Sequence, residues 1–179
     1  MADPRILTIS GSLRSGSYNR MLLREALRAF GPAEVAEADL RLPLYDGDLE
    51  QAEGVPDAVE RLAEQIGKAD AVIIASPEYN KGITGALKNA LDWVSRVPGG
   101  AFRGKPTVVM SANSGRTGGE AGQYMLLSCL VPLQADVLPG PMLCVAAADN
   151  EFDTDGKLAN EQYQKELQGK MQALRDRIA

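Results

Sequence analysis

Five short apolar runs, each separated from the next by a stretch of helical periodicity, leave this chain few ways to fold. The most constraining is Ala71–Ala75 (AVIIA), which contains no polar residue. A strand of that kind needs cover on both faces, the situation of a central strand in a parallel sheet. Ahead of it, Arg5–Ser10 (RILTIS) is apolar and β-branched and stops at Gly11, and residues 33–38 supply a second, more polar run. Behind it come residues 107–111 and 142–145. Between the runs, Leu22, Leu23, Ala26, Leu27 and Phe30 mark an amphipathic helix over residues 20–30, closed by Gly31 and Pro32. Val59, Leu62, Ala63 and Ile66 mark a second, ended by Gly67. A third covers residues 84–96, with Thr84 as its N-cap and Leu87, Ala90, Leu91 and Val94 on one face. A fourth is predicted over residues 120–131, and a terminal helix carries Tyr163, Leu167, Met171, Leu174 and Ile178.

Strands that alternate with helices build βαβ units, and hence a parallel sheet with helices on both faces. Five strands and five helices match a flavodoxin-like doubly wound α/β fold better than a six-stranded dinucleotide fold. No repeat, low-complexity tract or linker interrupts the pattern, so residues 1–179 are expected to form one domain. Ligands of such sheets sit beyond the carboxyl ends of the strands, where the strand order reverses. The loops predicted there are residues 11–19, 76–82 and 112–119, and these are the compositionally unusual segments of the chain.

Histidine is absent, which removes a Ser-His-Asp triad, a Cys-His pair and any histidine metal ligand. Cys129 and Cys144 stand far apart in apolar surroundings and read as buried small hydrophobes, so no metal is expected. A net charge of −5 gives no basic footprint for nucleic acid. No segment approaches the ~20 apolar residues of a membrane helix. The N-terminus runs into the first strand without a signal-peptide pattern, so a cytoplasmic location is expected. Chemistry must then come from carboxylates, hydroxyls, backbone amides or a bound cofactor.

The loop from Gly11 to Asn19 offers three serine hydroxyls, an asparagine amide, the Arg14 guanidinium and the free N–H groups of a helix start. Those are the parts of a phosphate cradle. It lacks the Gly-Lys-Ser/Thr of a nucleoside-triphosphate loop and the G-x-G-x-x-G of a dinucleotide fold. It also lacks a cysteine nucleophile, so it can hold a phosphate without attacking it. A serine-rich turn that merely caps a helix would look the same. Pro77-Glu78-Tyr79-Asn80, after the buried strand, could hold a flat heterocycle through backbone N–H groups or could be a simple turn. Gly115, Gly118 and Gly119 let backbone approach a ligand closely, though a flexible surface loop would also use them.

Taken together, Gly11-Ser12-Leu13-Arg14 with Ser17 and Asn19, then Pro77-Glu78-Tyr79-Asn80, then Gly85-Ala86-Leu87-Lys88-Asn89-Ala90-Leu91-Asp92-Trp93 resemble the NAD(P)H-dependent FMN reductase family, most of all its quinone and chromate reductase branch. The resemblance implies a flavodoxin-like fold, FMN as cofactor, NADPH or NADH as hydride donor, and a homodimer or homotetramer. By position it puts Ser12, Arg14, Ser17 and Asn19 on the FMN phosphate. It lays Pro77, Glu78, Tyr79 and Asn80 along the isoalloxazine and ribityl, and has Ser111, Ala112 and Gly115 flank the ring. Lys88, Asn89, Asp92 and Trp93 could be ligand residues, but they lie along a helix whose apolar face is needed for packing and read better as structural or dimer-interface residues. Two positions depart from the family pattern: Lys81, a candidate for the substrate pocket, and Thr84, where a proline is common.

The implied reaction passes hydride from nicotinamide through FMN to a small acceptor, whether quinone, flavin, azo compound or chromate. The cofactor carries that chemistry, so no side chain need act as general acid or base. One flavin face serving two substrates in turn implies ping-pong kinetics. Two other readings stay open from sequence: a non-enzymatic flavodoxin-like electron carrier, and a binding module for a phosphorylated ligand.

Overall fold

The computed structural model describes residues 3–179. Its elements, in order, are β1 (Arg5–Ser10), α1 (Tyr18–Phe30), β2 (Glu34–Glu37), α2 (Gly47–Glu53), α3 (Asp57–Lys68), β3 (Ala71–Ala75), α4 (Gly85–Val94), β4 (Pro106–Ala112), α5 (Glu120–Leu130), β5 (Asp136–Val137), β6 (Leu143–Val145) and α6 (Glu161–Ile178). The strands form one parallel sheet in the order β2-β1-β3-β4-β5, with β6 also paired to β4. That is the flavodoxin-like order, with the reversal between β1 and β3.

Alternation along the strands divides the interior in two. Ile6, Ala71, Ile73, Ala75, Val108 and Met110 pack with α1 and α6. Leu7, Ile9, Val72, Ile74 and Val109 face the opposite way and pack with α3, α4 and α5. Every residue of β3 is buried, as its composition requires. The edge strand β2 is exposed throughout, which is why it tolerates Glu34 and Glu37.

Two elements lie outside the sequence expectation. The short helix α2 buries no residue and is fixed by its caps: Asp46 accepts from the Asp48 N–H, and Gly54 closes the helix at φ 81°. The fifth strand is not continuous. Asp136–Val137 pairs with Pro106 and Thr107, and Leu143–Val145 pairs with Met110, Ser111 and Ala112. Between them runs Leu-Pro-Gly-Pro-Met, where Pro139 and Pro141 offer no N–H to a ladder and Gly140 sits at φ 128°.

Trp93 is wholly buried within the chain, donates its indole N–H to the Pro43 carbonyl at 2.8 Å and meets Tyr45 edge-on. It therefore offers nothing to an interface. Asn89 does related work, accepting from the Tyr45 N–H and donating to the same Pro43 carbonyl. Lys88 and Asp92 form an ion pair along α4 at 2.7 Å. Among the described residues no helix is long and apolar enough to cross a membrane.

Candidate active site

The loops after β1, β3 and β4 meet at the carboxyl end of the sheet around a cleft of about 270 Å³. Its walls are Ser12, Arg14, Ser17, Tyr18 and Asn19 from the first loop, Pro77, Glu78 and Tyr79 from the second, and Ala112, Asn113, Ser114 and Gly115 from the third. Asn80, Lys81 and Ser111 do not line it. Other cavities, of about 220 to 340 Å³, lie at the amino ends of β1 and β2, beside α6, past the end of α4 and beside α3, and none of these joins the three loops at the strand ends.

The first loop is built by a close approach. A Cβ on Gly11 would fall 2.3 Å from the Ser76 hydroxyl oxygen, so only glycine lets the two strand ends converge. Gly11 donates its N–H to the Ala75 carbonyl at 2.8 Å, and its own carbonyl accepts from the Thr84 hydroxyl at 2.6 Å. Thr84 also caps α4 by accepting from the Leu87 N–H, and so links the first loop to that helix. Ser17 is the N-cap of α1 and accepts from the Asn19 N–H. The N–H groups of Ser15, Gly16, Ser17 and Tyr18 have no acceptor among the described residues. Arg14 is exposed, with no carboxylate within 4.0 Å among them. Unpaired N–H groups at a helix start beside a free guanidinium are the donors that suit an anion.

Two asparagines fasten the loops together. Asn19 donates to the Ala112 carbonyl at 2.8 Å and accepts from the Ala112 N–H at 3.0 Å. Asn113 repeats the arrangement on the second loop, accepting from the Glu78 N–H at 3.1 Å and donating to the Glu78 carbonyl at 3.0 Å. The Asn19 amide, expected from sequence on a phosphate, is thus committed to the protein itself. The Ser111 hydroxyl is likewise turned inward, donating to the Gly118 carbonyl and accepting from Gln123.

Glu78 turns its carboxylate away from the cleft opening toward α5. One oxygen accepts from the Gly122 N–H at 3.1 Å, and the other lies 3.2 Å from the Lys81 ammonium. Gly119, the N-cap of α5, has no side chain to cap it, so Glu78 serves as that cap from another loop. Burial pushes the Glu78 carboxyl upward, but the hydrogen bonds from the Gly122 and Ala121 N–H groups and the Lys81 charge outweigh it and hold the carboxyl below its ordinary value. The next residues form a two-residue hairpin. Tyr79 and Gly82 exchange both backbone hydrogen bonds, and Asn80 and Lys81 at its tip have φ of 51° and 65°. This places Lys81 outward, at 75% side-chain exposure.

The match to known proteins is extensive. The model of the family described as NADPH-dependent FMN reductase matches residues 4–150. The chain belongs to that family. It is 45% identical over 174 residues to an NAD(P)H-dependent FMN reductase of Pseudomonas aeruginosa, covering 96% of this chain and 94% of the relative. It is 42% identical over 153 residues to a quinone reductase of Escherichia coli, covering 83% and 81%. Among solved structures, the flavoenzyme NAD(P)H:(acceptor) oxidoreductase FerB from Paracoccus denitrificans superposes with a TM-score of 0.87 at 31% identity, over 98% of this chain and 97% of that one.

The donor set of this FMN reductase fits the cofactor. The free N–H groups and Arg14 suit a phosphate, and the main chain of the second and third loops borders the rest of the cleft. Tyr18, Asn113 and Ser114 complete the wall. Asn113 falls within the loop expected at residues 112–119, but nothing local in the sequence signals its clamp on Glu78. The signal for Tyr18 was weaker still: it lies inside the phosphate loop, and its ring stacks on Phe152 at 5.8 Å, a partner 134 positions away. Cys144 touches Gln123 behind the third loop, and burial raises its thiol pKa, which makes it a poor nucleophile.

Proposed function

We propose that this FMN reductase moves hydride from NADPH or NADH through bound FMN to a small acceptor, with quinones as the principal class. The observation that carries the reading is the cleft itself: unpaired helix-start N–H groups and an unpaired Arg14 at one end, loop backbone at the other. FMN, when bound, supplies both the hydride acceptor and the hydride donor. Ser12, Arg14 and Ser17, with the N–H groups of residues 15–18, hold its phosphate. Pro77, Glu78, Tyr79, Ala112 and Gly115 border the ring largely through main chain, and the Asn19 and Asn113 clamps keep those main-chain segments in place. Quinones are favoured because the family relative from Escherichia coli carries that name; free flavins, azo compounds and chromate are further acceptors to be compared.

The electron-carrier alternative calls for an acidic rim that docks a protein partner. Among the described residues Glu78 is the one acidic residue lining the cleft, and it is ion-paired and turned toward α5. Purified protein should be yellow, with flavin absorbance near ~450 nm. Steady-state kinetics with both nicotinamides and a panel of quinones, flavin, azo dye and chromate should give parallel double-reciprocal lines. No flavin band after FMN loading, or no nicotinamide oxidation with any acceptor, would overturn the assignment.

A further inference from the structure

We propose that the Glu78 carboxylate sets the reduction potential of the bound flavin, holding it lower than the neighbouring positive groups would leave it. This rests on the FMN reading above. Glu78 lines the cleft, yet every polar group it has is already committed. Its N–H and C=O are held by Asn113, one carboxylate oxygen by the Gly122 N–H, and the other by Lys81. The side chain is 8% exposed and cannot swing out to bind a substrate. Residue 122 is glycine, and a Cβ there would lie 3.2 Å from the Glu78 Cβ, so its absence eases the close packing of this side chain on α5. The result is a fixed negative charge, little exposed, held just behind the cleft wall against the start of α5. Facing it are the positive end of α5, tempered by Glu120, and the Lys81 ammonium.

Uptake of a hydride, two electrons with one proton, leaves a flavin ring one unit more negative, while the nicotinamide departs as its oxidised cation. A fixed negative charge nearby opposes that gain, and in a partly buried site the effect is several times larger than in water. Glu78 therefore makes bound FMN harder to reduce and, once reduced, a stronger donor to the acceptor. Lys81 acts in the opposite sense and more weakly, because it is exposed and screened.

The test is an anaerobic titration of FMN-loaded wild type, Glu78→Gln and Lys81→Met against a reference dye, following the flavin band. FMN binding is first measured separately by quenching of flavin fluorescence. Glu78→Gln should raise the ratio of reduced to oxidised flavin about tenfold at fixed ambient potential, about 30 mV for a two-electron couple. Lys81→Met should move the ratio the other way by a smaller factor. A purely structural Glu78 would weaken FMN binding without this opposed pair of shifts. Equal potentials, or shifts of one sign, overturn the proposal even where FMN binds normally. If Glu78→Gln fails to fold or to hold FMN, Lys81→Met decides alone, and an unchanged or raised potential overturns it. Wild type that does not take up FMN overturns the functional reading, and this proposal with it.

Discussion

Asn19 and Asn113 both stand in the cleft wall, and each devotes a complete side-chain amide to the main chain of a neighbouring segment. Asn113→Ala would leave the Glu78 N–H and C=O without partners. We expect a loss of about 1–3 kcal/mol in unfolding free energy, with weaker FMN binding, read by denaturant titration and fluorescence quenching. Arg14 is the contrasting residue, exposed and without an ion pair. Arg14→Ala should weaken FMN binding by about 1.5–3 kcal/mol while leaving stability nearly unchanged. Riboflavin, which has no phosphate, should bind wild type much more weakly than FMN; equal affinities would remove the phosphate from this loop. Of these residues, Arg14 was legible in the sequence because a cation in a serine- and glycine-rich loop has few structural uses. Asn113 was not, since its partner lies 35 positions away and amide pairing to main chain leaves no local pattern.

At the scale of elements, the hairpin Tyr79–Gly82 and the start of α5 depend on each other through Glu78. The Glu78 carboxyl is held below its ordinary value in the folded chain, so its stabilising effect is present above the unfolded carboxylate range of about 4.3 and is lost as pH falls through the folded value. The stability gap between wild type and Glu78→Gln should accordingly be constant near neutrality and close in acid, as measured by urea unfolding across pH. Lys81 combines two separable features, a charge and a left-handed backbone. Lys81→Ala should raise the apparent KM for NADPH two- to fivefold, about 0.5–1 kcal/mol, and leave NADH unchanged, with added salt reproducing the effect. Lys81→Gly should show the same kinetics but be more stable than Lys81→Ala by about 1 kcal/mol, because glycine adopts positive φ at no steric cost. Identical NADPH and NADH constants in wild type and both variants would leave Lys81 a hairpin residue only. The helices were legible from their apolar stripes, as in α1, α3 and α4, but α3 has no side-chain cap and runs through Gly67, where the sequence predicts its end, to Lys68. The interruption of the fifth strand was written in Pro139 and Pro141, but the two residues of β5 carry too little pattern to be seen without their partner β4.

For the whole molecule, the side of the sheet carrying α4 and α5 leaves large apolar groups in solvent: Leu44 at 82% exposure, Val131 at 73% and Tyr124 at 59%. We expect this face to pair two copies of the chain, and sedimentation should show a dimer or dimer of dimers. A fully active 19.1 kDa monomer would discard that expectation, and Tyr124→Glu with Val131→Glu should weaken association while leaving Trp93 packing intact. The division of the interior into two apolar layers was readable from alternation within strands and periodicity within helices. Which exposed residues would remain uncovered was not, because Tyr124 lies in, and Val131 caps, a helix that is largely apolar.

The broken fifth strand bears on how the chain behaves when crowded with its own copies. A sheet edge with a long run of unpaired N–H and C=O groups is a template for stray strands and for fibril growth. Here one edge is split into pieces of two and three residues by a segment with two prolines, and the other, Glu34–Glu37, is four residues long with a carboxylate at each end. Neither rail is long enough to recruit a neighbour, so replacing Pro139 and Pro141 with valine should speed aggregation on heating, followed by thioflavin fluorescence, before it changes anything at the distant cleft.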